Sequence, residues 1–200
     1  MPRPRTHDEA LRLRLLDRAG ELLSAEGAKA LSLRRLAADA GTSTTAVYSL
    51  FGSKPELVNA LYVEGFRRFA MRLRAVERTG EPVADLVRLG LAYRASALAD
   101  PHLYAVMFTK AVPGFEPNEE AAALARSTLD PLLETVRAGV AAGVLADTEP
   151  EVIAGGCWAT VHGLVSLELG GTLPAALRDP EAFAAALRAT ATGWLRRSGD

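Results

Sequence analysis

The feature that most constrains this chain is the pattern of residues 31–61, LSLRRLAADAGTSTTAVYSLFGSKPELVNAL. Leu33 and Leu36 recur at helical spacing, so one face of a first short helix is predicted to be buried. Gly41 ends that helix at a position that commonly requires left-handed backbone. Ser43 then caps a second short helix, whose inner face is predicted to be Ala46, Val47, Leu50 and Phe51. Two short helices around such a turn are the helix-turn-helix layout, in which the second helix enters the major groove of DNA.

A third helix begins directly afterwards. Ser53, Lys54, Pro55 and Glu56 form a capping box with proline in the first turn. A cation at this end opposes the helix dipole, so an acidic residue in place of Lys54 would give more stability. Free backbone N–H groups and an ammonium together suit a phosphate group. We therefore predict that Lys54 contacts the DNA backbone; the alternative is a solvated surface lysine.

Residues 8–62 resemble the DNA-binding domain of the TetR family of bacterial transcription regulators. The pattern of that domain is an apolar first helix ending in Gly, a Ser/Thr-capped helix, an Ala-Gly turn, and a Tyr-x-x-Phe pair followed by Lys-x-x-Leu. The matching positions are Leu15, Leu16, Ala19, Leu22, Leu23, Gly27, Ser32, Leu36, Ala37, Ala40, Gly41, Val47, Tyr48, Phe51, Lys54 and Leu57. The resemblance implies a dimer with a second domain that is controlled by a ligand.

The second helix of the motif offers hydroxyl groups on its outer side and contains no Arg, Asn or Gln. By the family pattern, Thr44 and Thr45 face the groove and Tyr48 contacts a phosphate. The nearest guanidinium is Arg34, which we predict to contact a base edge, while Arg35 is assigned to the DNA backbone or to an internal ion pair. A solvated surface charge is the alternative for each arginine. The predicted DNA-contact residues are Ser32, Arg34, Arg35, Ser43, Thr44, Thr45, Tyr48, Ser49 and Lys54.

The net charge of −1 hides an uneven distribution. Residues 1–80 hold 14 Lys and Arg against 9 Asp and Glu, whereas residues 81–200 hold 9 against 15. A basic first part on an acidic body is expected when only the first part contacts phosphates, and Arg3 and Arg5 are further candidates for such contacts. The single cysteine, Cys157, excludes an internal disulfide and suits a cytoplasmic protein. Neither a signal peptide nor a membrane-spanning run is expected.

Beyond residue 54 the apolar spacing predicts helices only. No segment alternates with period two strongly enough to indicate a strand, and 111–118 is predicted to be a loop. The chain is therefore predicted to be all-α with about nine helices. A three-helix helix-turn-helix domain occupies 1–54, and a helical ligand-binding and dimerisation domain occupies 55–200. The later helices are placed at about 54–79, 82–99, 102–108, 118–142 with a candidate kink at Pro131, 150–170 and 179–197.

The segment WATVHGLVSLEL at 158–169 resembles the Trp-x-x-x-His-Gly segment of one subgroup of TetR C-terminal domains. Trp158 and His162 are four residues apart and share a helix face. Either His162 hydrogen-bonds a ligand, or both side chains belong to the core or to a dimer interface. By the family resemblance, an aromatic and sulfur-rich stretch lies opposite, and it suits a flat or apolar molecule with one polar group. The alternative for the aromatic and sulfur-rich stretch is that its side chains simply fill a core. The predicted ligand residues are Tyr93, Tyr104, Met107, Phe108, Trp158 and His162.

The last two long helices, 150–170 and 179–197, carry small and apolar residues at close spacing. Two such helices pairing with their symmetry mates would form a four-helix bundle, and a two-fold dimer matches a palindromic operator. The alternative is that these residues pack onto the core of their own chain. The predicted interface residues are Gly155, Gly156, Ala159, Gly163, Ala184, Leu187, Ala191 and Trp194.

The sequence gives little support to the hypothesis that this protein is an enzyme. His162 paired with Ser166 or with Cys157 lacks a third orienting acid, and no nucleophile elbow, phosphate loop, dinucleotide motif or metal-ligand spacing occurs. No catalytic residue, metal or cofactor is therefore expected. A helical module that binds only proteins or lipids would leave the basic residues of the helix-turn-helix unexplained.

We predict a cytoplasmic transcription regulator that acts as a homodimeric repressor. It binds a palindromic double-stranded DNA operator, is released by a small apolar effector, and has no membrane partner. An activator, or a regulator without a small-molecule effector, is the alternative.

Overall fold

The computed structural model describes residues 5–109 and 112–197. Arg3 and the side chain of Arg5, named above as candidates, lie outside the described residues. The described ranges contain helices and, apart from an isolated bridge between Leu145 and Leu195, no β-structure, which confirms the all-α class. The helices are α1 Arg5–Glu26, α2 Leu33–Asp39, α3 Thr44–Phe51, α4 Lys54–Arg74, α5 Pro82–Ala99, α6 Pro101–Phe108, α7 Glu119–Ser127, α8 Asp130–Ala141, α9 Pro150–Leu169, α10 Ala175–Arg178 and α11 Pro180–Thr192.

These eleven helices are two more than the nine or so predicted, because the segment 118–142 is broken and because the short helix α10 was not predicted. Proline has no N–H to donate and its ring crowds the carbonyl four residues earlier. For Pro131 that carbonyl belongs to Ser127, and α7 ends there. Pro131 is accepted instead in the first turn of α8, where its missing N–H costs nothing. The predicted kink is therefore a helix end followed by a new start.

Helix α4 ends at Arg74, five residues before the predicted end at residue 79. The backbone N–H groups of Thr79 and Gly80 donate to the carboxylate of Asp85, at 2.9 and 3.1 Å, and the Thr79 hydroxyl donates to it at 2.7 Å. The Asp85 side chain, in the first turn of α5, therefore accepts bonds from backbone N–H groups that would have bonded within a longer α4. Such local bonds from Asp to neighbouring N–H groups favour turns over helix.

The chain divides into two compact units. Unit 1 contains residues up to 67 together with 100–125, and unit 2 contains 68–99 together with residues from 126 onward. The boundary predicted between residues 54 and 55 describes functional domains and stays a prediction. Each unit has its own apolar core, and each is described here by itself.

The core of unit 1 is rich in leucine and comes from α1, α2, α3, α4 and α6. Leu36 and Val47 are fully buried and Phe51 nearly so, which confirms the inner faces predicted for the two short helices. Burying a leucine or valine side chain completely contributes about 1.5–3 kcal/mol. Helices as short as α2 and α3 are marginal alone, so this burial is what holds them in place.

In unit 2, α5 is packed against α8, α9 and α11. Arg94 of α5 forms a two-bond ion pair with Glu168 of α9, at 2.6 and 2.8 Å, and its guanidinium lies 4.3 Å from the ring centre of Phe183 in α11. The hydrogen bond to Glu168 is the main reason that the pKa of the Arg94 guanidinium is raised. One arginine thus joins three helices of this unit.

Helix α9 is unusually apolar. Among the described helices it alone is long and apolar enough to cross a membrane by length and composition, and 22% of its most apolar stretch is buried. Glu151 and Glu168 bound a stretch that contains glycine, alanine and threonine as well as large apolar residues. The exposed residues of this helix, which leave part of its surface available for a contact with another molecule, are Glu151, Val152, Gly155, Trp158, Ala159, Ser166 and Leu167.

Candidate nucleic-acid interface and regulatory residues

The turn between α2 and α3 is fixed by local caps. The Ser32 hydroxyl accepts a bond from the backbone N–H of Arg35 at 3.2 Å, and the Ser43 hydroxyl accepts one from Ala46 at 3.1 Å. Gly41 has φ 61°, the left-handed conformation that the sequence predicts. Both caps satisfy N–H groups that would otherwise lack a partner at a helix start. The predicted helix-turn-helix geometry is therefore present.

Helix α3 has one apolar side and one polar side. Val47 and Phe51 point into the core, whereas Thr45, Tyr48 and Ser49 are exposed. Tyr48 is 53% exposed, which is unusual for a large aromatic side chain. An exposed row of hydroxyl groups on a rigid helix suits contacts to phosphate oxygens and base edges.

The neighbouring arginines Arg34 and Arg35 differ in their partners. Arg35 makes two bonds to the carboxylate of Glu26, at 2.6 and 2.7 Å, so the ion pair that we offered as one alternative is present. Arg34 is exposed and has no hydrogen bond or ion pair within 5–109 and 112–197. A guanidinium carries five donors, and those of Arg34 remain available for a base edge. A DNA contact by either residue stays a prediction.

The pair Arg35–Glu26 belongs to a surface network between α1 and α2. Arg18 of α1 donates to Asp39 of α2 at 2.8 and 3.0 Å and to Glu21 at 3.0 Å. The hydrogen bond from Arg35 is the main reason that the pKa of Glu26 is lowered, and the same bond raises the pKa of Arg35. Exposed ion pairs contribute little to stability, so we interpret this network as orienting α2 on α1.

Lys54 has a partner that the sequence analysis missed. Its ammonium donates to the backbone carbonyl of Ala28 at 2.6 Å, and the predicted cap is present, with the Ser53 hydroxyl accepting from the N–H of Glu56 at 3.3 Å. The bond to Ala28 ties the start of α4 to the turn after α1. An ammonium has three donors, so this bond leaves two for a phosphate. The phosphate contact remains a prediction.

Three of the six predicted ligand residues meet in unit 2. The Tyr93 hydroxyl lies 2.8 Å from Nδ1 of His162, and the rings of His162 and Trp158 are 5.8 Å apart. Phe69, which the sequence analysis did not select, packs edge-on against Tyr93 at 4.9 Å. Burial lowers the pKa of His162, which favours the neutral imidazole. His162 therefore has a partner within its own chain, as the alternative of a core residue requires. Its contact with a ligand stays a prediction.

The other three predicted ligand residues, Tyr104, Met107 and Phe108, lie in unit 1. The rings of Tyr104 and Phe108 are 4.8 Å apart, as expected for two residues four positions apart on one helix. Met107 packs closely against Gly65 of α4. Further aromatic side chains extend this group, with ring centres 4.8–5.7 Å from their neighbours: Tyr62, Phe66 and Phe115. Phe115 comes from the loop that the sequence analysis identified.

The eight predicted interface residues fall into two groups. Leu187 and Ala191 are buried in the core of their own chain, and the ring of Trp194 covers Gly156. These four already have intramolecular contacts, as the alternative of internal packing requires, and little of Leu187 or Ala191 is left for a partner. Gly155 and Ala159 are exposed, while Gly163 and Ala184 are half-buried. The exposed part of α9 is therefore the best remaining candidate for an interface.

Within the described part of the chain, no group of three or more His, Cys, Asp or Glu side chains is placed to hold a metal ion. Burial raises the pKa of the Cys157 thiol to about 11, so little thiolate exists near neutral pH. A nucleophilic cysteine needs the opposite shift. Neither observation supports the pairing of Cys157 with His162 that an enzyme would require.

Comparison with known proteins gives two family matches. Residues 15–61 match the model of bacterial regulatory proteins of the tetR family, and residues 86–191 match the model of the tetracyclin repressor-like C-terminal domain. Together the two matches include both the helix-turn-helix and the Trp-x-x-x-His-Gly segment.

Individual relatives agree with these matches. The HTH-type transcriptional regulator Rv1816 of Mycobacterium tuberculosis is 26% identical over 142 residues, which are 68% of this chain and 59% of that protein. The matched part thus spans less than two thirds of this relative. A protein of unknown function from Rhodococcus sp. RHA1 is 34% identical and superimposes with a TM-score of 0.78, over 92% of this chain and 95% of its own. The putative regulatory protein SCO4313 is 30% identical, with a TM-score of 0.77 over 96% and 100% of the chains.

Proposed function

Because this chain belongs to the TetR family of bacterial transcription regulators, we propose that it is a dimeric repressor that binds a palindromic operator and is released by a small apolar molecule. The observation that carries the DNA-binding part is α3, whose caps and buried Val47 and Phe51 present Thr45, Tyr48 and Ser49 outward. Arg34, whose guanidinium has no partner among the residues that the structure describes, supplies the guanidinium that α3 itself lacks. In this proposal hydroxyl groups and Lys54 set the position on the backbone, and Arg34 reads a base.

Fluorescence anisotropy with duplex DNA from upstream of the gene tests operator binding. We expect tighter binding to one fragment than to shuffled DNA of the same length and composition. We also expect affinity to fall by orders of magnitude between low and moderate salt, because each phosphate contact releases counterions. Equal affinity for all fragments, or affinity that ignores salt, would contradict the proposal.

The dimer is supported by the exposed apolar surface of α9. Val152 is 52% and Leu167 45% exposed, and Trp158 is 36% exposed on the same helix. Small exposed residues between them, such as Ala159, permit close approach of a second helix. We propose that this surface pairs with its two-fold mate.

Light scattering tests the dimer. We expect about twice the monomer mass of 21.2 kDa at micromolar concentration. Ala159→Arg places a charge in the proposed interface and should yield monomers, whereas Ala95→Arg, at an exposed position of α5, should leave the mass unchanged. A wild-type mass near that of one chain would contradict the proposal.

The effector part of the proposal depends on Tyr93, Trp158 and His162. Their rings lie together, and the neutral His162 has one nitrogen next to the Tyr93 hydroxyl. A flat molecule with one polar group would find aromatic faces and a hydrogen-bonding imidazole there.

A panel of planar aromatic compounds that carry one hydroxyl or carbonyl, added to the preformed DNA complex, tests the effector. We expect at least one compound to release the wild-type protein. His162→Ala should need more of that compound while keeping the same operator affinity. If no compound releases the protein, a regulator without a small-molecule effector becomes the better description.

The direction of regulation is tested with a reporter gene under the identified operator. A repressor predicts that reporter expression rises when this gene is deleted, and an activator predicts that it falls. The wild-type gene supplied on a plasmid is the control, since it should reverse the change in either case.

A further inference from the structure

Unit 2 contains a cleft whose lining includes none of the residues proposed for DNA or effector binding. It has a volume of about 350 Å³ and is formed by the end of α4, the turn that follows it, and the first turns of α5 and α8. Neither Tyr93, Trp158 nor His162 lines it. Three of the side chains that line it are apolar, namely Leu73, Val76 and Leu89, and we call these three the apolar floor; Leu73 and Leu89 are buried.

The cleft carries two guanidinium groups with loose contacts. Arg78 has its nearest polar atoms on Thr135, Glu134 and Pro131, at 3.3, 3.3 and 3.4 Å, and Arg74 has Ser127 at 3.4 Å. Charge-assisted bonds between nitrogen and oxygen usually measure about 2.7–2.9 Å. Both arginines therefore hold their present partners weakly and can accept a better one.

The carboxylates of the cleft are of three kinds, and the first is exposed Glu134, which already pairs with Arg78 at 3.3 Å. Asp85 is buried and accepts from Thr79 and Gly80, and these bonds lower its pKa although burial alone would raise it. Glu77 and Asp130 are exposed, and their carboxylates have no hydrogen bond or ion pair among the residues that the structure describes. The cleft therefore combines an apolar floor, two weakly held cations and two unpaired anions.

We propose that this cleft binds a zwitterionic amino acid with an apolar side chain. The carboxylate of the ligand pairs with Arg74 and Arg78, its ammonium pairs with Glu77 or Asp130, and its side chain covers the apolar floor. A ligand with only a negative charge would face the unpaired carboxylates, and one with only a positive charge would face the guanidinium groups. A ligand that carries both charges satisfies both sets.

Isothermal titration calorimetry of the full chain without DNA tests the ligand class. The probes are L-leucine and L-phenylalanine. Each is compared with the analogue that lacks its carboxylate, isopentylamine or phenethylamine, and with the analogue that lacks its ammonium, isocaproate or hydrocinnamate. We expect at least one amino acid to bind and both of its singly charged analogues to bind at least tenfold more weakly. Absence of binding by both amino acids at millimolar concentration, or equal binding of an analogue, would overturn the proposal.

Variants of the charged residues test the site itself. Arg78→Gln should weaken amino-acid binding at least tenfold, and so should the double variant Glu77→Gln with Asp130→Asn, which removes both candidate partners of the ligand ammonium. The matched controls Arg188→Gln and Asp147→Asn remove charges of the same sign at exposed positions outside the cleft and should change nothing. Far-UV circular dichroism confirms that the variants are folded, and wild-type affinity in both cleft variants would overturn the proposal. Because no DNA is present, the outcome is independent of whether the chain acts as a repressor.

Discussion

Two arginine–carboxylate pairs, one in each unit, have nearly the same geometry and very different surroundings. Arg35 and Glu26 make bonds of 2.6 and 2.7 Å on the surface of unit 1, with side chains 39% and 46% exposed. Arg94 and Glu168 make bonds of 2.6 and 2.8 Å inside unit 2, with side chains 10% and 12% exposed. Bond length alone therefore does not show what a pair contributes.

The difference arises from water. At the surface both partners stay hydrated when the pair opens, so the exposed pair orients α2 with little effect on stability. In the interior each charge has lost its water, and removal of one partner leaves the other buried and uncompensated. The DNA-binding helices are thus positioned by contacts that can open, whereas α5, α9 and α11 are joined by one that cannot open without loss of stability.

The largest effect is expected from Glu168→Ala. It leaves the buried guanidinium of Arg94 without its carboxylate, and breaking a buried pair in this way costs about 3–5 kcal/mol. Urea-induced unfolding followed by circular dichroism measures the change. The double variant Arg94→Met with Glu168→Leu is the control, because an apolar pair of similar volume should recover most of the loss. Equal destabilisation by the double variant would show that lost packing, and not the uncompensated charge, dominates.

The next largest effect is expected on the preference for operator DNA and comes from Arg34, whose guanidinium has no partner among the described residues. Arg34→Ala should reduce the preference for operator over shuffled DNA by about 1–3 kcal/mol if its contact to the base is bidentate. Lys54→Ala is the matched comparison, because a phosphate contact positions without specifying and its loss should weaken binding to all DNA alike and flatten the salt dependence. Equal losses on both DNAs for Arg34→Ala would reassign this residue to the backbone.

A smaller effect is expected from pH in unit 2. Burial lowers the pKa of His162 below its usual 6.5, so below that value the unfolded chain takes up a proton that the folded chain resists. The contribution of neutral His162 to the free energy of unfolding is therefore present at neutral pH, and it is lost as the pH falls through and below 6.5. Urea unfolding of wild type and His162→Gln over this range should show a shallower pH dependence for the variant. If the unfolding free energies of wild type and variant depended equally on pH, His162 would not be the cause of this pH dependence.

The smallest effect is expected from Glu26→Ala in unit 1. Both partners of this pair are well exposed, so the melting temperature should change little. Because Arg35 orients α2, the affinity for DNA should respond more than the stability does. A fall in melting temperature comparable to that of Glu168→Ala would remove the distinction between the two pairs.

Features of the fold that depend on near neighbours in sequence were predictable. Ser32 and Ser43 cap helices through bonds to residues three positions later, and Gly41 occupies the left-handed position that its place after α2 indicates. The helical spacing also identified Val47 and Phe51 as buried. Each of these features follows from a rule that operates within one or two helical turns.

Features that depend on distant partners were not predictable in the same way. Lys54 bonds to a carbonyl 26 residues earlier, and Arg94 pairs with a residue 74 positions later. Helical spacing shows that Leu187 and Ala191 share an apolar face, but it cannot tell whether the same chain or a second copy covers that face. In the structure α5 covers Leu187, whose side chain fills the space above Gly90. The sequence pattern therefore reveals that the helix has an apolar face, and only the packing in the structure shows what covers that face.

The separation of buried and exposed positions along α3 has a consequence for how such a protein evolves new DNA targets. Of its eight residues, Val47 and Phe51 are buried, and its ends are closed by Ser43 and by Gly52 with φ 68°. Codons for Thr45, Tyr48 and Ser49 can therefore change without disturbing the scaffold. If these outward positions contact DNA as we propose, a duplicated gene would acquire a new set of target promoters through a few substitutions there, while the inherited core continued to fold as before.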